Sequence, residues 1–219
     1  MTDSVMVTGM VLSTGPVNDY DRRMVVLTKE RGKITVFAKG ARRQGSRMMA
    51  ATNPFVFGNF KLYEGKSAYN LQEAEITNYF EELRTDFEGA YLGMYFLEFA
   101  DYYTRENNDE TETLKLLYQS IRAICKNTLD NRLVRAVFEI KIMCVNGEFA
   151  VSNRNTKLSD AAAYAVNFIV ITPIERLYTF TVNEDVLKEL QFVANKGKTV
   201  AVDKTFKSLE MLENSVLKI

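Results

Sequence analysis

The 219 residues carry 28 basic and 28 acidic side chains, and 47% hydrophobic against 26% charged content is that of a globular protein with room for one or two domains. There is no histidine, which removes the commonest general base, nucleophile partner and transition-metal ligand, and the two cysteines, Cys125 and Cys144, cannot build a disulfide framework or a four-ligand Cys/His zinc site. No apolar run approaches the roughly eighteen residues of a membrane span, no Walker loop or dinucleotide fingerprint occurs, and MTDSVMVTG at the start has no long apolar core, which predicts no secretory signal.

The first eighty or so residues read as short strands. Val5–Leu12 is β-branched and apolar, with Gly9 suggesting a bulge or tight bend. Ser13–Asp21 (STGPVNDYD) is turn-rich and predicts a loop. Met24–Leu27 is a second strand, and KERGK a tight turn with Gly32 free to take positive φ. Lys33–Lys39 alternates: Lys33, Thr35, Phe37 and Lys39 on one face, Ile34, Val36 and Ala38 on the other. Gly40–Asn53 reads as a flexible basic loop ended by Pro54. Its Met48 and Met49 are adaptable apolar side chains able to insert into a partner or a nucleic-acid stack. Phe55–Tyr63 and Ser67–Ala74 complete five strands, with Phe55, Phe57, Phe60 and Tyr63 expected in the core. Strand count and length favour the five-stranded Greek-key OB-fold over its competitor, a small SH3-like barrel.

Beyond about residue 80 the period changes. Leu83, Phe87, Ala90, Tyr91, Met94, Leu97 and Phe99 recur at helical spacing, as do Leu114, Leu117, Ile121 and Ile124. Leu129–Val145 predicts a third helix stopped by Gly147, with both cysteines in apolar helical surroundings as buried core thiols, suiting a reducing compartment. Ser159-Asp160 caps a helix through about Ile171. Asn183 opens another through about Ala194, followed by an NKGK turn, and Thr205–Leu217 holds the last. The expected fold class is therefore α+β with two domains: residues 1–79 an N-terminal five-stranded OB-fold barrel, residues 80–219 an all-α helical domain.

Charge is segregated. Arg22–Arg47 holds nine basic residues and one acid, Glu30, in a neutral chain. Like charge concentrated on one element repels itself unless a polyanion is the partner. Lysine and arginine neutralise phosphates, and exposed aromatics stack on bases. OB barrels often use the face of strands 2 and 3 with adjoining loops, which makes Lys33, Phe37, Lys39, Arg42, Arg43 and Arg47 the candidate DNA-binding residues. Asp19 and Asp21 read as local ion partners of Arg22 and Arg23 rather than as a metal site. No constellation for nucleophilic or acid–base catalysis appears, so no enzyme and no cofactor are expected.

The ordered motifs carry a resemblance. Leu27-Thr28, Gly32-Lys33, Ala38-Lys39-Gly40-Ala41-Arg42-Arg43, Ser46-Arg47, Pro54-Phe55, Leu62–Gly65 and Leu71–Glu75, then Leu133–Ala150 with its helix ending at a glycine, resemble the pattern of the bacterial recombination mediator RecO family. The resemblance implies an N-terminal OB-fold and a helical C-terminal domain. It implies binding of single- and double-stranded DNA and annealing of complementary strands in the cytoplasm, at the nucleoid. With RecR, RecA is loaded onto strands coated by single-stranded-DNA-binding protein, whose acidic-hydrophobic tail some members contact; RecF and RecA are indirect partners. Many relatives carry a four-cysteine zinc motif where Val151–Leu190 here has no cysteine, so this region is expected to be zinc-free and held by helices. The competing reading is a protein-interaction scaffold whose basic barrel docks an acidic protein instead of DNA.

Overall fold

A computed structural model of the chain describes residues 4–66, 68–149 and 158–216. The chain forms two compact units, Met1–Glu81 with Leu97–Leu114, and Glu82–Phe96 with Lys115–Ile219. The barrel unit thus takes in Leu97–Leu114, a stretch that helical spacing alone groups with the second domain.

Five strands close into a barrel: β1 (Ser4–Val17), β2 (Asp21–Thr28), β3 (Gly32–Ala38), β4 (Phe57–Glu64) and β5 (Tyr69–Asn78). Their order is β1-β2-β3-β5-β4, with β4 returning to β1; only the β3–β5 pair is parallel. This is the OB-fold. The first hairpin is longer than its composition suggests. Ser13–Val17 pairs with Asp21–Val25 instead of forming a loop, and the bulge lies between Val11 and Ser13, not at Gly9. Pro16 is tolerated because it sits at the hairpin end, opposite Arg22. Gly9 faces Gly58 across β1 and β4 for a different reason. A Cβ at Gly9 would stand 2.3 Å from the Leu27 carbonyl oxygen, and one at Gly58 2.3 Å from that of Glu75. The pair lets neighbouring backbones approach.

Ile34, Val36 and Ala38 point inward and are buried, as their alternation requires. In β4 the phase differs from the aromatic-core expectation. Phe60 and Leu62 fill the interior along with Val56 just before the strand, while Phe55, Phe57 and Tyr63 are only half-buried. Gly58 occupies the inward position between Val56 and Phe60, and a period of two then sends Phe57 outward.

Near the start of β3, where β5 does not pair, the chain at Arg105–Asn107 supplies partners. The Lys33 amide donates to the Arg105 carbonyl (3.0 Å), and the Asn107 amide donates to the Arg31 carbonyl (2.9 Å). Gly32, at φ +64°, is required there twice over, since a Cβ would meet the Arg105 oxygen at 2.3 Å.

Seven α-helices are present among the described residues: α1 (Met48–Ala51), within the barrel unit, then α2 (Phe87–Tyr103), α3 (Thr111–Lys126), α4 (Asn131–Val145), α5 (Asp160–Ile171), α6 (Glu184–Ala201) and α7 (Lys207–Val216). The expected end of the last helix, Leu217, and part of the expected cysteine-free region, Val151–Lys157, lie outside the described residues. In the helical unit α4 is central. Its Leu133, Val134, Val137, Phe138 and Ile140 are buried, and Phe138 stacks on Phe96 at 4.0 Å. The α5 and α6 caps are as read, and α4 has one that the sequence reading did not assign, Asp130, so the helix starts at Asn131: the side chains of Asp130, Ser159 and Asn183 accept from the amides of Arg132, Ala162 and Val186. Buried Lys141 donates to the carbonyls of Ile169, Val170 and Thr172 at the end of α5, where a cation suits the helix dipole.

Two further expectations are corrected. Asn195–Lys198 (NKGK) is no turn; α6 runs through it to Ala201. Gly197 lies so near Met143 that a Cβ would stand 2.9 Å from its Cε, so packing overrides the glycine's poor helix propensity. Cys125 and Cys144 are half-buried, not fully buried.

Candidate nucleic-acid interface

The loop after β3 is built from hydrogen-bonded turns, not the open flexible stretch its glycines suggest. Arg43 N donates to Gly40 O (3.1 Å), Ser46 N to Arg43 O (3.0 Å) and Met49 N to Ser46 O (3.2 Å). Gly40 and Gly45 take φ of +66° and +76°, where glycine is least strained. Ala41, fully buried, pins the loop to the barrel core. At its far end Arg22 Nη1 donates to Met49 O (3.0 Å), Thr52 Oγ1 (2.9 Å) and Asn53 Oδ1 (2.8 Å). Arg22 therefore clamps α1 to the barrel. Met48 packs against the core, leaving Met49 the exposed one of the pair.

The β1–β2 turn is latched to this loop. Arg42 N donates to Tyr20 O (2.8 Å), Arg42 Nη1 to Asn18 O (3.2 Å), and Gly40 N to Asp21 Oδ1 (2.7 Å). Asp21 thus holds backbone and has no ion pair with Arg22 or Arg23. Among the described residues no three His, Cys, Asp or Glu side chains converge as a metal site.

Lys39, Arg42, Arg43 and Arg47 are exposed and come together on this loop, with no acidic partner for any of the four among the described residues. Phe37 is half-buried on the outer face of β3, opposite Arg23 on β2 and Asn70 on β5. Lys33 shares that face but lies six residues from Lys39, about 20 Å along the strand. Its Nζ donates to Asp101 O at 2.6 Å and pairs with Asp101 Oδ1 at 3.0 Å. The geometry thus gathers four of the six residues read from sequence, leaves Phe37 beside them and engages Lys33 elsewhere.

Tyr20 was not foreseen. It is 54% exposed at the tip of the β1–β2 turn, and the Arg43 guanidinium lies 5.4 Å from its ring centroid. The signal in the sequence was an aromatic inside a turn (Asn18–Asp21) whose other residues are polar.

An OB barrel whose first turn is tied to an unpaired basic loop defines a class of candidate polyanion-binding proteins. Known proteins narrow the class. The chain matches the model described as Recombination protein O N terminal over residues 1–80 and the one described as Recombination protein O C terminal over residues 84–150. It is 24% identical to the DNA repair protein RecO of Acetivibrio thermocellus, across 94% of each chain. It is 25% identical to that of Clostridium novyi across 92% of this chain and 91% of the relative. The chain belongs to the RecO family, whose proteins serve DNA repair and recombination. No helix among the described residues is long and apolar enough to cross a membrane.

Proposed function

We propose that this protein is a non-enzymatic recombination mediator that binds single- and double-stranded DNA through its barrel and anneals complementary strands. Four exposed, acid-free cations on one structured loop carry the reading. Neutralising the phosphates of two strands lowers their mutual repulsion and releases counterions, and the bases then find their complements without nucleotide hydrolysis. Phe37 and Arg23 extend the surface along β2 and β3. Lys33, held by Asp101, contributes by fixing the barrel. Residues 1–79 supply the DNA surface; residues 80–219 supply contacts to RecR and to the tail of single-stranded-DNA-binding protein. These partners let RecA load in the cytoplasm, at the nucleoid, with RecF acting indirectly.

The test is the triple variant Arg42→Ala, Arg43→Ala, Arg47→Ala. Removing three phosphate contacts flattens the slope of log affinity against log salt by about 2 to 3 and weakens binding at low salt. Strand annealing, with and without single-stranded-DNA-binding protein present, should fall in parallel. Unchanged affinity in a folded variant refutes the site. No tight DNA binding by the parent protein at any salt favours the scaffold reading.

A further inference from the structure

We infer that Tyr20 is a stacking platform for an unpaired nucleotide base, so that the basic loop senses single strands and not charge alone. The inference rests on the reading of that loop as a phosphate surface and adds the chemistry that tells one strand from two.

Three observations converge. The ring stands out from the barrel at the β1–β2 turn, 54% exposed. Its backbone is fixed, since Tyr20 O accepts from Arg42 N and the flanking Asn18 O and Asp21 Oδ1 accept from Arg42 Nη1 and Gly40 N. The Arg43 guanidinium lies 5.4 Å from the ring centroid, placing a cation beside the π-system. Tyr79, the barrel's other exposed aromatic, has no such cation among the described residues.

A residue whose backbone is held before binding loses little main-chain freedom when a base settles on its ring. Every base offers a π-face, so such stacking tolerates sequence. The bases of a duplex are already stacked on one another and cannot reach an external ring without unpairing. Phosphates reach Lys39, Arg42 and Arg43 equally from either form. Discrimination therefore falls to Tyr20, and affinity common to both forms falls to the cations.

The chain has no tryptophan, which makes Tyr20→Trp a unique fluorophore. The full-length protein is titrated with a fluorescein-labelled oligothymidine and with a duplex of the same length. Tyr20→Ala should lower the ratio of single-strand to duplex affinity by about five- to a hundredfold, leaving the salt slope on single strands intact. Tyr20→Trp should keep that ratio, and its indole emission should be quenched by the single strand and not by the duplex. An unchanged ratio in Tyr20→Ala, or an unquenched indole while the single strand is bound, overturns the inference and leaves the phosphate surface standing. A parent protein that binds neither probe overturns both.

Discussion

Glu139, on α4, is the most consequential buried charge in the helical unit. It is 2% exposed, and its Oε1 accepts from the Tyr95 hydroxyl (2.6 Å), Arg135 Nε (3.0 Å) and Lys198 Nζ (3.1 Å). Replacing it by leucine removes the acceptor that these three donors share. Arg135 retains Glu213 at 3.1 Å, but Lys198, its side chain 14% exposed, is left with no carboxylate among its described contacts. Breaking a buried pair from one side costs about 3–5 kcal/mol. A cavity of about 520 Å³, lined by Arg135, Glu139, Gln191 and Asn195, is polar enough to admit water to the abandoned cations. That sets the expectation near about 3 kcal/mol, roughly a hundredfold or more in the folding constant. The double variant Glu139→Leu, Lys198→Met should recover much of the loss, because an apolar pair of similar volume can replace a buried ion pair. Urea unfolding followed by circular dichroism measures both. A loss under about 1 kcal/mol in the single variant, or a double variant no more stable than the single, refutes the reasoning.

Other expectations follow from the same geometry. Gly58→Ala forces a Cβ against the Glu75 carbonyl oxygen, and thermal unfolding should show a barrel destabilised by at least about 2 kcal/mol. Burial, helped by the carboxylates of Glu82 and Asp86, pushes the Cys125 thiol up to about 11, and burial does the same for Cys144 against the opposing Lys141 charge. At pH 8 the native protein should react with a disulfide reagent about a hundredfold more slowly than its urea-unfolded form, and equal rates would contradict the assigned burial. Hydrogen bonds from Arg132 hold the Asp130 carboxyl below its ordinary 3.8. On acidification the unfolded chain takes up that proton first, so the contribution is full above the ordinary value and drains away as pH falls through the lower folded one. Asp130→Asn keeps the α4 cap and should flatten stability against pH in that window, whereas Asp130→Ala should cost about 1 kcal/mol at neutral pH.

Where one physical rule governs a segment, its structure was readable in the sequence. Gly32–Ala38 alternates with period two because one face is barrel interior, and the basic loop showed as a charge anomaly. Where long-range packing decides, local signals misled. Asn195–Lys198 looks like a turn in isolation, but Met143 fills the space over Gly197 and the helix continues. Phe55, Phe57 and Tyr63 look like core by composition, yet Gly58 fixes the strand's phase the other way. The latch between Tyr20 and Arg42 is made by backbone amide and carbonyl groups, which carry no residue-specific signature. Its place in the candidate site emerges only once β1 is seen to extend to Val17 and turn at Tyr20.

The hydrogen bonds joining Arg31 and Lys33 to Asn107 and Arg105 impose an order on folding during synthesis. All five barrel strands leave the ribosome by Asn78, but the segment that completes the start of β3 emerges only after Glu82–Phe96, which belongs to the other unit. A nascent chain stopped near residue 81 exposes the unpaired backbone of Arg31 and Lys33 and the ammonium of Lys33, a strand edge open to other chains. The barrel's last partner is thus encoded past the beginning of its neighbour, and vectorial folding of the barrel must wait for Arg105 and Asn107, just beyond α2.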